Sequence, residues 1–405
     1  MSARILIVSN SHLCRNPRSL KEADTLGRAG YDVTVLAVRN HAISEAHDRV
    51  LLQGAPFRRE VIDMIPGFET ASRTIFRRRL ILWAARQAAN WGMPTIHVLG
   101  PIGPLLRSAR QRPADLIIVH NEAPHWVGVQ LMREGRRVAA DIEDWHSEDL
   151  LPEDRFRRPL SRIRAVERRL VTQAVYTTTT SHAMAEALQE RYGGRRPEVI
   201  NNSFPLQPDP HRGPPGQPPV LFWFSQTLGP GRGLELFLAA WRQTRKPSRL
   251  VLLGQPTPGY DRRLLSHLPS AWHPRVSFLP LVPPAELPGV IAQCDVGLAL
   301  EPRIPENKNR TISNKILQYL NAGLAVVASD TAGQCEVLAQ RPEAGVIVEM
   351  HETTYLAETL DRLLADRVAL VRRQTAARKL AEDTYCWERE TPNLLALVAR
   401  ALASD

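Results

Sequence analysis

A chain of 405 residues is longer than one hydrophobic core supports, so two domains are expected. An apolar fraction of 43% and a charged fraction of 23% are those of a globular protein. No apolar run nears the roughly 18–20 residues that cross a bilayer, which excludes a membrane-spanning chain. The formal net charge of +10 is carried by arginine and suits anionic partners, although a base-composition bias in the gene produces the same excess.

The chain opens on a basic start followed by Ile5, Leu6, Ile7 and Val8. With no cleavage site of small residues after it, this reads as a first strand and not a signal peptide. Arg18–Ala29 is a helix with Leu20, Ala23 and Leu26 on one face, stopped by Gly30, and Val33–Val38 is the next strand. Between residues 57 and 112 arginines cluster among Phe57, Phe68, Phe76, Leu80, Trp83 and Trp91. Such a stretch suits an anionic membrane surface or an anionic polysaccharide, and a solvated helix face is the plain alternative. No nucleic-acid partner is expected, because no recognition motif accompanies the charge. Ala114–His120 and Arg137–Ile142 are further strands, then Val175–Thr180, with Ser181 capping a helix through Glu190, and Val199–Ile200.

Strands alternating with helices at this spacing build a parallel, doubly wound sheet, whose ligands sit past the C-terminal ends of the strands. That directs attention to Asn10, His12 and Arg15 after the first strand, to His120, and to Glu143, Asp144 and His146. Cys14, Cys294, Cys335 and Cys386 are too scattered for a metal cluster and read as free thiols of a reducing compartment, hence a cytoplasmic protein.

Prolines and glycines crowd residues 206–219, the clearest linker in the chain. The expected domains are therefore 1–205 and 220–385, with a last helix, 386–405, free to cross back onto the first domain. Strands of the second domain are Val220–Phe224, Leu250–Leu253, Val276–Leu279, Val296–Leu300 and Ala325–Ala328. The helices are Gly233–Thr244, Asp261–Leu268, Pro284–Ala292, Asn314–Ala322 and Leu356–Ala365, with Trp387–Ala403 at the end.

Two loops of this second domain carry a cation to a helix start. Ser313 caps a helix whose first turn holds Asn314 and Lys315, so free N–H groups, the helix dipole and an ammonium converge on one point, as a phosphate requires. After the first strand, Ser225 to Gly233 is glycine-rich and ends in Arg232-Gly233, which lets the backbone and a guanidinium approach a diphosphate.

In order along the chain, Arg232-Gly233, Leu250-Val-Leu-Leu-Gly254, Cys294-Asp-Val-Gly-Leu-Ala-Leu-Glu301, Ser313-Asn-Lys315 and Gly323-Leu-Ala-Val-Val-Ala-Ser-Asp330 resemble glycosyltransferases of the GT-B fold, in particular the GT4-like group. Asp141-Ile-Glu-Asp-Trp-His146 and Tyr385-Cys-Trp-Glu388 extend the resemblance over nearly the whole chain. It implies an α/β protein with two Rossmann-like domains facing an interdomain cleft. It also implies sugar transfer from a nucleotide-diphosphate sugar to a glycan, lipid-linked or other hydroxyl acceptor, with retention of configuration.

By the same resemblance Arg232, Gly233, Ser313, Asn314 and Lys315 hold the donor diphosphate. Pro280, Leu281 and Val282 fall where the nucleobase lies. The family's paired glutamates map to Arg310 and Gln318, which with Glu301 are the candidates for contacts to ribose or sugar; the departure moves the sugar-binding acid to Glu301 or Glu306, or impairs catalysis. Two cations serve the leaving group, so no metal and no cofactor beyond the donor is expected. Glu143, Asp144 and His120 are the candidates for the chemistry on the acceptor side. A nucleotide-sugar epimerase and a non-catalytic homologue are the alternatives; the second is motivated by Arg310 and Gln318.

Overall fold

Uninterrupted runs of buried Ile, Leu, Val and Ala form strands whose two faces are both covered, the condition under which parallel sheets occur. The computed structural model describes residues 2–68, 70–208 and 218–403. Two units emerge, one of residues 1–200 with 391–405 and one of residues 201–390.

The first unit holds β1 (Arg4–Val8), β2 (Asp32–Arg39), β3 (Arg58–Asp63), β4 (Leu116–His120), β5 (Val138–Ile142), β6 (Thr177–Thr179) and β7 (Glu198–Val199). They make a parallel sheet in the order β3-β2-β1-β4-β5-β6-β7. The second unit holds β8 (Val220–Leu228), β9 (Arg249–Pro256), β10 (Val276–Leu279), β11 (Val296–Ala299), β12 (Ala325–Ser329) and β13 (Gly345–Val348). Their order is β10-β9-β8-β11-β12-β13, again parallel. Each sheet reverses direction once, at β1/β4 and at β8/β11, and crevices for ligands open at such reversals.

The central strands lie where the apolar runs predict them. β8 continues four residues past Phe224, with an irregularity in its pairing to β9 between Phe224 and Thr227. Two edge strands, β3 and β13, lie outside the expected ones: β3 reads Arg-Arg-Glu-Val-Ile-Asp, with no apolar run to announce it, and β13 is the short apolar run Gly-Val-Ile-Val. The helix Pro17–Arg28 does not turn Leu20 into the core: its buried stripe contains Arg18, Ser19 and Glu22 beside Ala23 and Leu26. The helix Trp387–Ala403 begins in the second unit and ends in the first, where Leu402 O accepts from Arg137 Nη1 at 3.1 Å. Of the proline-rich stretch 206–219, residues 209–217 lie outside the described residues.

The second core shows how tightly a covered strand is packed. A Cβ on Gly297, within β11, would stand 2.2 Å from Cγ of Tyr319, a fully buried ring whose hydroxyl donates to Leu298 O at 3.3 Å. Gly297→Ala should therefore destabilise the second unit by about 3 kcal/mol, read as a lower midpoint in urea unfolding followed by tryptophan fluorescence.

Candidate functional site

At the β8/β11 reversal the loop after β8 turns through Gly231 and Gly233, both at positive φ. A Cβ on Gly233 would lie 3.2 Å from Leu300 Cβ, so only glycine lets this loop rest against the end of β11. Arg232 is exposed between the two glycines, and its Nη1 donates to Ser225 Oγ at 3.0 Å. Beside it starts the helix Asn314–Asn321. Ser313 Oγ caps that helix by accepting from Lys315 N at 3.3 Å, and donates to Glu301 Oε1 at 3.1 Å.

The same carboxylate oxygen takes Lys315 Nζ at 2.5 Å, with the ammonium 5.3 Å above the Trp223 ring. Burial pushes the Glu301 carboxyl up, but Lys315 and the Ser313 hydroxyl outweigh it and hold it below its ordinary value. Ser329 Oγ accepts from Glu301 N at 2.8 Å and donates to Glu301 O at 2.7 Å, which fixes the backbone of that acid. Ser313, Lys315 and Glu301 are thus one assembly, in which Glu301 pairs with the lysine. Asn314 is exposed in the first turn.

Arg310 lies in the short helix Glu306–Arg310, where its Nε donates to Glu306 Oε1 at 2.6 Å. One turn after Asn314, Gln318 has a buried Oε1 with no hydrogen-bond partner among the described residues. Pro280, Leu281 and Val282 follow β10 at the sheet's edge; Leu281 is exposed, and Val282 packs on the core.

In the first unit the β1/β4 reversal is built from amides. Asn121 Oδ1 accepts from Ser9 Oγ at 3.2 Å and from Asn16 Nδ2 at 3.3 Å, while Asn16 Oδ1 caps the Pro17 helix through Ser19 N at 3.0 Å. Asn121 has φ 70° and ψ 169°, the one positive φ among the described non-glycine residues. Such strain persists only where the surroundings over-determine it. Asn10 donates to Leu99 O at 3.5 Å, and Arg15 is exposed, its Nη2 3.4 Å from His41 Nδ1.

His12 is fully buried. Its Nε2 accepts from the N–H groups of Asn40 and His41, both at 3.2 Å, so the proton sits on Nδ1, 2.8 Å from Asp48 Oδ2. His12, Glu45 and Asp48 stand close enough together to hold a cation. The Arg59 guanidinium occupies that position instead, 2.9 Å from Glu45 and 3.0 Å from Asp48. His12 therefore fixes the loop after β1 and presents no ring nitrogen to a ligand.

His120 is buried likewise, its Nε2 2.5 Å from Glu22 Oε2 and its Nδ1 3.1 Å from Asp141 Oδ2. Asp141 also accepts from Arg18 Nε and Nη2 and from Thr178 Oγ1, each at 2.6 Å. Burial opposes the charged imidazolium, but Glu22 and Asp141 prevail and raise the His120 pKa to about 10. Both ring nitrogens face carboxylates, so His120 is a positioning group in the core and does not meet an acceptor hydroxyl. Arg18 and Glu22 escape a reading of the sequence by motif. Their signal was two ionisable residues at i, i+4 on the helix face that also carries Leu26.

Past β5 the half-buried pair Glu143 and Asp144 differs in kind. Burial and the Asp144 carboxylate push the Glu143 pKa up to about 7, where one group both takes and gives a proton. Their segment is pinned by Trp145, whose Nε1 donates to Tyr192 OH at 3.3 Å, and by Ser147 N, which donates to Glu167 Oε1 at 3.0 Å. The His146 ring lies 5.5 Å from that of His125, tilted by 54°, and a small cavity opens beside them, lined also by Glu122 and Glu167.

Residues 20–207 match the family model described as Glycosyltransferase Family 4, and residues 218–366 match the one described as Glycosyl transferases group 1. The chain belongs to the group 1, family 4 glycosyltransferases. Such enzymes transfer a sugar from a nucleotide-sugar donor. The solved structures similar to this glycosyltransferase have the GT-B fold over their full length. Sucrose-phosphate synthase from Thermosynechococcus elongatus is 14% identical at a TM-score of 0.73, covering 100% of both chains. HepE from Anabaena, solved with UDP, is 18% identical at 0.70 over 99% of this chain and 100% of that one. A glycosyltransferase from Rickettsia africae is 12% identical at 0.69, again over 100% of both. At these identities the likeness is one of fold. None of the curated proteins compared with this glycosyltransferase matches it.

The buried imidazolium has a pH signature. A histidine pKa raised from about 6.5 to about 10 adds stability that is complete below pH 6.5 and fades as the pH climbs to 10. His120→Gln should lower the melting temperature at pH 6 and flatten its alkaline fall between pH 6.5 and 10. Thermal scans across that range, parent against variant, measure it.

Proposed function

We propose that the enzyme binds its donor through the diphosphate at the β8/β11 reversal and transfers the sugar to a glycan or lipid-linked hydroxyl, without metal and with retention. The observation that carries this reading is the Ser313–Lys315–Glu301 assembly at a helix start, one strand away from the exposed Arg232. As the glycosidic bond breaks, charge develops on the departing diphosphate. Arg232, Lys315 and the N–H groups of the first helical turn, about Asn314, lie where they stabilise it. Glu301 keeps the ammonium at the helix start before the donor arrives.

Gln318 supports the ribose contact: its unpartnered buried Oε1 accepts from a diol hydroxyl and is relieved of a desolvation cost. Pro280 to Val282 take the nucleobase by the family resemblance, which is also the ground for retention. On the acceptor side Glu143 receives the hydroxyl proton, with burial and the Asp144 carboxylate keeping its pKa near neutrality. Asn10 and Arg15 provide polar contacts at the end of β1.

The defining experiment offers UDP-, GDP- and ADP-sugars, beginning with UDP-glucose, which HepE binds, and follows nucleoside diphosphate release with and without membrane extract. Release that requires the extract supports transfer to an acceptor; interconversion of the sugar with no release would mark an epimerase. Lys315→Ala and Arg232→Ala should each weaken donor binding about 10–100-fold in calorimetry. Unchanged affinity in both displaces the diphosphate from this position. Glu143→Gln should leave donor affinity intact and lower kcat by about 10²–10⁴, and an unaltered kcat removes Glu143 from proton transfer.

A further inference from the structure

The helix Ser72–Asn90 is apolar on two opposite sides. Ile75, Ala85 and Ala89 are buried, Leu82 packs on the core of the first unit, and Arg78 Nη1 donates to Asp63 O at 2.7 Å. At 100° per residue, Phe76, Leu80 and Trp83 fall on the outer side in an i, i+4, i+7 row. They are 68%, 48% and 59% exposed, and just beyond the helix Trp91 is 80% exposed. Isolated exposed apolar residues need no explanation, but an ordered row on the side facing water does.

Arg73 and Arg77 flank the row on one side, Arg79 and Arg86 on the other, all exposed, and the helix contains no acidic residue. The short helix Pro152–Arg157 packs against it and adds an exposed Phe156 with the Arg157 guanidinium 5.0 Å from its ring.

We propose that this face docks on the surface of an anionic lipid bilayer, with Phe76, Leu80 and Trp83 entering the boundary between headgroups and acyl chains and the arginines meeting lipid phosphates. Among the described residues no helix is long and apolar enough to cross a membrane, so the helix lies in the interface. The charge pattern selects this occupant. A second copy in a two-fold contact would set arginine against arginine. A polyanionic glycan or nucleic acid would neutralise the arginines and leave Leu80 and Phe76 in water. An anionic bilayer meets both requirements at once.

The full-length protein is sedimented with vesicles of phosphatidylcholine alone and of phosphatidylcholine mixed with phosphatidylglycerol. Binding is expected to the mixed vesicles only, and to weaken as salt is raised. Phe76→Ser, Leu80→Ser and Trp83→Ser combined should lower the partition coefficient about 100-fold, and Arg73→Gln with Arg77→Gln roughly 10–30-fold. All five positions are exposed, and an unchanged unfolding midpoint shows that the fold is kept. Failure of the parent to bind mixed vesicles, or equal binding by the apolar variant, overturns the proposal. So does a dimer in analytical ultracentrifugation that the apolar variant dissociates.

Discussion

A parallel sheet covered on both faces gives its polar groups one outlet, the C-terminal ends of its strands. Backbone N–H and C=O groups are consumed by the ladder, and the faces belong to side chains such as Ile7, Val119, Leu298 and Val327, all buried. Ionisable groups carried by the central strands are thereby driven to the strand ends, as with Asp141 at β5 and Glu301 after β11. There the rest of the chain either pairs it off or leaves it within reach of a ligand.

The two sheets resolve this constraint in opposite ways. At β4 and β5 the charges close upon themselves: two anions, Glu22 and Asp141, meet two cations, Arg18 and His120, under the Pro17 helix. Removing any one leaves an uncompensated buried charge, costly enough that such a cluster serves placement before chemistry. It holds β4, β5 and the helix in one register, and beyond it Glu143 is carried to the strand end with its proton loosely held. At β8 and β11 the cations exceed the anions. Glu301 balances Lys315, while Arg232 rests on the Ser225 hydroxyl and remains exposed to an incoming anion.

What could be read in the sequence follows from the same division. The Ser313–Lys315 turn and the Arg232-Gly233 loop were legible because capping, glycine turns and cation placement are local, each confined to a few consecutive residues. The central strands were legible because double burial leaves no alternation to misread. The Arg18–Asp141–His120–Glu22 cluster was not, since its members are brought together by pairing β1, β4 and β5 and belong to no common motif. For that reason His120 and His12, polar residues beside strand ends, pointed to chemistry although the fold turns both inward. Edge strand β3 was hidden for the reverse reason: its charged sequence suits the rim of a sheet, where burial is partial.

The departures at Arg310 and Gln318 change in meaning once placed. Arg310 is tied to Glu306 along a single short helix. Gln318 lies one turn beyond the helix start on the row that Asn314 begins, and its carbonyl oxygen is desolvated with nothing to accept from among the described residues. A carboxylate in that place would add a third charge near Lys315 and Glu301 and compete with a diphosphate for the same ammonium. A neutral amide avoids the competition while still accepting from a hydroxyl, at the cost of a weaker bond. Substitution of glutamine for acid therefore fits the electrostatics of this helix start, where Glu301 already occupies the lysine.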